Sequence, residues 1–101
     1  MMYFILMLLD QVHQSPGDIY SKSGEEATIK CLHSIQSYDR ILWYKQLKNR
    51  QLQLLGYMEL TIAYPEPGLD VKIDGSADKD QNCTLTIERL NSSAVYFCAA
   101  S

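Results

Sequence analysis

The stretch that decides the fold lies near the end of the chain and runs Ala94-Val95-Tyr96-Phe97-Cys98. Ala94, Tyr96 and Cys98 occupy alternate positions, and the residues between them belong to the opposite set. Because successive side chains of a β-strand point to opposite faces of its sheet, this spacing places all three on one face. The stretch is predicted to be a strand whose inward face carries a tyrosine and a cysteine.

Three earlier stretches show the same alternation, and turn residues separate them. Their inward residues are Ala27, Ile29 and Cys31 in the first, Ile41 and Trp43 in the second, and Cys83, Leu85 and Ile87 in the third. Further strands are predicted over residues 11–15, 52–57 and 71–74. No stretch keeps the 3.6-residue period of an amphipathic helix for long enough to form one. The sequence therefore predicts an all-β domain with Trp43, Leu85 and Tyr96 in its core.

Chain length and net charge already exclude some classes of function. The chain has 101 residues and a mass of 11.5 kDa, which is enough for one hydrophobic core and too little for a two-domain enzyme. Its net charge of -3 comes without a basic cluster that could neutralise a run of phosphates. Nucleic acid is therefore not expected as a partner.

Residues 1–9 form the longest apolar run of the chain. The run is much shorter than the roughly 20 residues that span a bilayer, so no transmembrane segment is predicted. Its length is typical of the hydrophobic part of a secretory signal, although it lacks a basic start and a small-residue cleavage site. We interpret residues 1–9 as a shortened leader and residues 10–101 as the folded domain. The alternative is an additional N-terminal strand.

The chain contains three cysteines, Cys31, Cys83 and Cys98. They form no CxxC pair and have no histidine at ligand spacing, so neither a metal site nor another cofactor is predicted. In an oxidising compartment two of them would form a disulfide. A link between Cys31 and Cys98 would restrict the unfolded chain by about 4 kcal/mol, but counting alone permits three pairings.

Cys31, Trp43 and the string Tyr96-Phe97-Cys98 resemble the markers of an immunoglobulin variable-type (V-set) domain. The resemblance implies an immunoglobulin-like V-type β-sandwich with Greek-key connections. It further implies a disulfide between Cys31 and Cys98 that joins the two sheets, with Trp43 packed on it. The Tyr96 hydroxyl is expected to hold a corner of the chain, and Cys83 is left as a buried free thiol.

Four strings give the resemblance more detail: residues 41–46 (ILWYKQ), 52–57 (LQLLGY), 83–87 (CTLTI) and 93–101 (SAVYFCAAS). Together they are most similar to the variable segment of a T-cell receptor β chain, from a fish. In that family a joining segment supplies the third hypervariable loop and the final strand, G. The chain stops at Ser101, so the resemblance implies an unrearranged segment whose sheet lacks the G strand.

One face of the predicted sandwich is too apolar for a surface left in water. Its outward residues are Tyr44, Gln46, Leu52, Leu54 and Phe97. The resemblance implies that this face pairs with the variable domain of a second receptor chain, with Gln46 in an amide pair across the interface. The alternatives are that the leader or a second copy of the chain covers the face.

Recognition is predicted on two loops, residues 33–40 and 58–66, because a rigid scaffold tolerates sequence change at its loops. The residues expected to contact antigen are Gln36, Ser37, Tyr38, Asp39, Met58 and Glu59. Aromatic side chains mixed with small polar ones are typical of antigen-contacting loops. The resemblance implies that the antigen is a peptide held by an MHC molecule, and the alternative is that these loops are polar connectors.

Two strings, Asn82-Cys83-Thr84 and Asn91-Ser92-Ser93, match the pattern for N-glycosylation, and Asn91 is favoured over Asn82 because it lies in a predicted turn. Residues 78–89 begin like a calcium-binding loop but lack its glycine and its bidentate glutamate, so no calcium site is predicted.

His13 and His33 are interpreted as surface residues because no catalytic partner stands at a supporting spacing. No catalytic residue is assigned, and no enzyme is predicted. The predicted function is antigen recognition by an extracellular T-cell receptor β-like variable domain within a plasma-membrane complex. The alternatives are another V-set immune receptor, such as a novel immune-type receptor or an immunoglobulin light-chain segment, and a cell-surface adhesion domain.

Overall fold

The computed structural model describes residues 2–3, 12–15, 18–19, 25–49, 51–89 and 94–101, with side chains from residue 25 onward. All regular secondary structure in these ranges is β-strand. The ten strands are β1 Met2–Tyr3, β2 Val12–Ser15, β3 Asp18–Ile19, β4 Ala27–His33, β5 Arg40–Gln46, β6 Leu52–Glu59, β7 Ile62–Pro65, β8 Val71–Gly75, β9 Cys83–Ile87 and β10 Val95–Ala100.

Two four-stranded antiparallel sheets enclose the core. The first sheet has the strand order β2-β4-β9-β8, and the second has the order β10-β5-β6-β7. Neighbouring strands such as β4 and β9, or β5 and β10, are far apart in the chain, as in Greek-key connections. The predicted all-β sandwich of immunoglobulin V type is confirmed. The two-residue strands β1 and β3 pair with each other in a separate antiparallel sheet, with Met2 opposite Ile19.

The core follows the alternation in the sequence. In β4 the odd-numbered residues from Ala27 to His33 are buried, and in β9 Cys83, Leu85 and Ile87 are buried. Ile41 and Trp43 of β5 complete the opposing layer from the second sheet. Fully burying a side chain of this size contributes roughly 1.5–3 kcal/mol, so these alternating positions favour this fold over other arrangements of the strands.

A β-bulge in β6 changes which residues of that strand face the core. Trp43 lies opposite Gly56 and Tyr44 lies opposite Leu54, so Leu55 is the extra residue. Even-numbered residues face outward before the bulge, whereas Met58 beyond it is 2% exposed and belongs to the core. Met58 was expected to contact antigen because it was placed at the start of loop 58–66, but it lies inside β6 with its side chain in the core, so that expectation is corrected.

Gly56 marks the position of this bulge. Its φ is +147°, and a Cβ atom there would lie 2.8 Å from Ile73 Cδ1, from Pro65 Cα and from the Tyr64 carbonyl oxygen. Only a glycine fits so close to the neighbouring strand and the opposite sheet. The sheet can consequently bend at Leu55 and continue to Glu59, two residues beyond the predicted end of the strand.

Residues 58–66 are mostly strand and not the predicted loop. Residues 58–66 were expected to form a loop, but β6 and β7 occupy most of this range as a hairpin that turns at residues 60–61. Pro65 ends β7 at the sheet edge, where the missing N–H is tolerated.

Of the predicted leader, Met2–Tyr3 forms β1, and residues 1 and 4–9 lie outside the described residues. The leader stays a prediction.

Candidate functional site: an apolar sheet face and a hydrogen-bonded loop end

One disulfide crosslinks the two sheets. Cys31 of β4 and Cys98 of β10 form a disulfide with a Cα–Cα distance of 6.5 Å. Trp43 lies next to the bridge because it is opposite Cys98 in the register of β5 and β10. The implied pairing is confirmed, and the bridge fixes the relative position of the two outer faces.

The third cysteine fills the space beside this bridge. Cys83 is a buried free thiol, opposite Cys31 on the neighbouring strand, and its sulfur lies 3.9 Å from the Met58 sulfur. Burial raises the pKa of the Cys83 thiol to about 11, because the charged thiolate would lose its hydration in the core. The thiol stays protonated at neutral pH, so Cys83 is a core residue and not a nucleophile.

The outer face of the second sheet carries the predicted pairing residues. Tyr44 lies between Leu54 and Phe97 in the register of the three central strands, and Gln46 lies opposite Leu52. The Tyr44 and Phe97 rings stack with their centroids 5.4 Å apart. Leu52 is 55% exposed, whereas Phe97 is only 8% exposed. Phe97 therefore supports Tyr44 from below and offers little surface of its own, contrary to the prediction of an exposed contact.

The same face continues beyond the bulge with a second group of side chains. Tyr57 and Tyr64 stack at 4.8 Å, and the Arg40 guanidinium lies 5.4 Å from the centre of the Tyr57 ring. Arg40 also donates a hydrogen bond of 2.6 Å to Glu59, and this bond raises the pKa of Arg40. Both ends of the pair are exposed, so the pair orders the surface more than it stabilises the fold.

Three connections meet at one end of the sandwich: the loop of residues 34–39, the turn at 60–61 and the turn of residues 76–82. The Leu60 amide donates to the Asp39 carbonyl at 2.9 Å, and the Ala77 amide donates to the Leu60 carbonyl at 2.8 Å. The Asp80 amide donates to the His33 carbonyl at 2.8 Å. Backbone hydrogen bonds thus connect all three into one surface, which we call the loop end.

His33 holds the loop end together from below. It is 0% exposed, so its interpretation as a surface histidine and as the start of a loop is wrong; it is the last residue of β4. Its Nε2 bonds the Ala77 carbonyl at 2.6 Å, and its Nδ1 accepts a 3.1 Å bond from the Ile35 amide. These two bonds require the neutral ring with its proton on Nε2. The ring thereby connects loop 34–39 to turn 76–82.

The predicted contact residues have different positions at the loop end. Gln36, Ser37 and Asp39 are exposed on loop 34–39, and Tyr38 is half-buried, with its ring centroid 6.0 Å from that of His33. Glu59 ends β6 beside Arg40, at the rim of the loop end. Turn 76–82 was absent from the predicted recognition surface. Its Lys79 ammonium donates to the Gln36 side chain at 3.4 Å.

The two predicted glycosylation sites differ in what the structure shows of them. Asn82 is exposed at the end of turn 76–82, immediately before β9. Asn91 lies outside the described residues. Within residues 25–49, 51–89 and 94–101, no cluster of three or more His, Cys, Asp or Glu side chains could hold a metal ion.

A disulfide-bridged two-sheet sandwich, with an apolar outer face on one sheet and loops grouped at one end, defines the variable-type class of immunoglobulin domains. The chain belongs to the immunoglobulin V-set domain family, whose model matches residues 14–101. The described part of the chain has no helix of the length and hydropathy needed to cross a membrane.

Known relatives place the chain within this family more closely. It is 29% identical over 92 residues to the mouse T-cell receptor beta chain V region C5, covering 89% of this chain and 75% of the relative. It is 30% identical over 93 residues to human T cell receptor beta variable 7-2, covering 89% and 80%. The similarity to T-cell receptor β variable chains is confirmed. The comparisons bear on neither the fish origin nor the unrearranged state.

A solved structure gives the same result for the fold. The chain resembles one in a solved structure described as the structural basis of T cell specificity and activation by the bacterial superantigen toxic shock syndrome toxin-1. The TM-score is 0.73 with 25% identity, covering 89% of this chain and 80% of the other. The chain is thus a T-cell receptor β variable-like domain, of a class of extracellular, non-enzymatic domains that recognise antigen and pair with another chain.

Proposed function

We propose that this domain pairs with the variable domain of a second T-cell receptor chain and binds a peptide held by an MHC molecule, within a plasma-membrane receptor complex. The outer face of the second sheet would make the pairing contact, and the loop end would make the antigen contact. The observation that carries the proposal is the apolar outer face centred on Tyr44 and Leu52. Leu52 begins β6, and the loop end lies at the other end of that strand.

The pairing contact is supported by the composition of that face. Leu52 is more than half exposed, and Tyr44, Gln46 and Leu54 are half-buried around it. An apolar group of this kind loses free energy to water unless it is covered. Aromatic anchors with a polar rim are typical of specific protein interfaces, which bury about 800 Å² on each partner. Phe97 would contribute by holding the Tyr44 ring in place.

The antigen contact is supported by the rigidity of the loop end. Gln36, Ser37 and Asp39 present exposed polar side chains on a backbone that hydrogen bonds fix at both sides. Fixing a surface before it binds lowers the entropy lost on binding. Tyr38 adds aromatic area, and Glu59 adds a carboxylate whose position Arg40 sets.

The pairing proposal can be tested by co-expression with the variable domain of a T-cell receptor α chain. We expect a heterodimer in analytical ultracentrifugation and at least tenfold weaker association of the Leu52→Lys variant. Thr86→Lys is the matched control, because it adds the same charge to the outer face of the other sheet. Equal association of Leu52→Lys and wild type would overturn the proposed interface. Preferential pairing with an antibody heavy-chain variable domain would support the light-chain alternative instead.

The antigen proposal needs a separate test on the paired receptor. The probe is a library of peptide–MHC multimers, and the readout is staining of cells that display the receptor. We expect Tyr38→Ala and Gln36→Ala to reduce staining at least tenfold, and Lys72→Ala, on an exposed strand of the first sheet, to leave it unchanged. Staining that survives both loop substitutions would contradict a role for loop 34–39.

A further inference from the structure

Asn82 begins a glycosylation pattern, and the structure puts it in an accessible position. The pattern is Asn82-Cys83-Thr84, with a residue other than proline in the middle. Asn82 is exposed and is the last residue of turn 76–82. Among the described residues its side chain has no hydrogen-bond partner, so a substituent on the amide nitrogen would disrupt no contact there.

The backbone around Asn82 is fixed without help from its side chain. The Asn82 carbonyl accepts the Ser76 amide at 3.0 Å, and Gly75 lies opposite Cys83 in the register of β8 and β9. Gly75 has a φ of +98° and approaches the Asn82 carbonyl so closely that any Cβ atom would collide with it. The turn therefore keeps its shape whether or not the Asn82 side chain is modified.

The side chain of Cys83, the middle residue of the pattern, points away from the Asn82 amide that would accept the sugar. Cys83 points into the core beside Met58, is not part of a disulfide, and is 0% exposed. Thr84 follows on the outward face of β9, half-buried, with its hydroxyl donating to the Asp74 carbonyl at 3.4 Å. The chain thus alternates an outward asparagine, an inward cysteine and an outward threonine.

We propose that Asn82 carries an N-linked glycan. The donor would be a lipid-linked oligosaccharyl pyrophosphate of the secretory pathway. A bond forms between the Asn82 side-chain nitrogen and the anomeric carbon of the sugar, the bond from that carbon to the pyrophosphate oxygen breaks, and the amide proton is released. The inference rests on entry into the secretory pathway, which the Cys31–Cys98 bridge requires as well. It is independent of which chain or antigen the domain binds.

The position of this glycan would matter for recognition. Asp80 of the same turn donates to the His33 carbonyl, and Lys79 donates to the Gln36 side chain on loop 34–39. A sugar on Asn82 would therefore stand on the loop end itself, at its first-sheet side, where turn 76–82 meets β9. It would leave the outer face of the second sheet uncovered, because the two faces belong to opposite layers of the sandwich.

The test is expression of the full chain behind a cleavable secretory signal in mammalian cells. Peptide:N-glycosidase F removes the glycan and leaves an aspartate, which peptide mapping then locates. We expect an aspartate at position 82 in the treated wild type, its loss in Asn82→Gln and Thr84→Ala, and its retention in Thr84→Ser. Thr86→Ala is the matched control, since it removes a hydroxyl from the same face of β9 outside the pattern.

Asn91→Gln separates the second pattern from the first. The Asn82 signal should be unchanged in Asn91→Gln, and Asn82→Gln with Asn91→Gln should remove every mobility shift. Because the donor reacts during translocation, the same variants can be translated in the presence of microsomes, where occupancy does not depend on secretion. An unmodified Asn82 in both systems, with the shift arising only from Asn91, would overturn the proposal.

Discussion

The outer faces of the two sheets differ in composition although both belong to one sandwich. The first sheet presents Thr28, Lys30, Lys72, Thr84 and Thr86, which are polar and lie on the side away from the core. The second sheet presents Leu52, Leu54, Tyr44, Tyr57 and Tyr64. One sheet is therefore built to face water and the other to be covered. The difference indicates that burial of the core sets the fold of both sheets, whereas their outer faces vary independently, and only the second sheet has an outer face apolar enough to favour being covered.

The largest effect should come from cutting the link between the sheets. We expect the Cys31→Ala and Cys98→Ala double variant to lose about 4 kcal/mol of unfolding free energy, because the unfolded chain gains the freedom of a long loop. Urea unfolding followed by Trp43 fluorescence measures this. Wild type unfolded with and without reductant gives the same quantity if the variant does not fold. A loss below about 1 kcal/mol would mean that packing alone holds the sheets together.

The next effect concerns the connection between fold and loop end. His33→Ala should cost about 3 kcal/mol, because the buried Ala77 carbonyl and the Ile35 amide lose their partner and a cavity remains. Amide hydrogen exchange should rise in both loop 34–39 and turn 76–82. Lys30→Ala, an exposed position of the same strand, is the control and should change neither. Faster exchange in only one of the two loops would contradict the connection through His33.

The pH dependence of stability tests the buried thiol. The folded pKa of Cys83 is raised from 9.0 to about 11, so its contribution is complete below pH 9 and is lost as the pH rises through 11. On this account about 2 kcal/mol of unfolding free energy disappears between these pH values. Cys83→Ala should lack that part of the loss, since it has no thiol to ionise. Identical pH profiles of the two proteins would show that Cys83 does not titrate in this way.

The smallest effect separates folding from pairing. Leu52→Lys should change the unfolding free energy of the isolated domain by less than about 0.5 kcal/mol, because the side chain is exposed. Thr86→Lys on the polar face should do the same, and urea unfolding measures both. A loss above about 1 kcal/mol for Leu52→Lys alone would mean that part of the same chain covers the face, as in the leader alternative.

The sandwich could be predicted because its strands have a simple period. In β4 and β9 every second residue is buried, Ile41 and Trp43 follow the same period in β5, and the three cysteines all lie at inward positions. The choice of Cys31 with Cys98 needed the family resemblance, since Cys83 is inward as well. Alternation alone cannot tell which of two inward sulfurs lies across the core.

The loop end was harder to predict because it depends on contacts between distant parts of the chain. The burial of Met58 follows from a bulge, which period-two alternation cannot show; Gly56 inside an otherwise regular strand was the available signal. His33 continues the inward parity of β4, so extending the alternation by one more residue pair would have buried it. Turn 76–82 joins the surface only through hydrogen bonds between distant segments, which leave no trace in the local sequence.

The neighbouring positions of Cys31 and Cys83 also bear on the order of events during oxidative folding. These two residues face each other on adjacent strands, whereas Cys98 reaches Cys31 from the opposite sheet. If β4 and β9 paired before the second sheet closed, Cys31 and Cys83 would be within reach of each other. A crosslink between them would then have to be exchanged for the Cys31–Cys98 bridge by attack of the Cys98 thiolate on it.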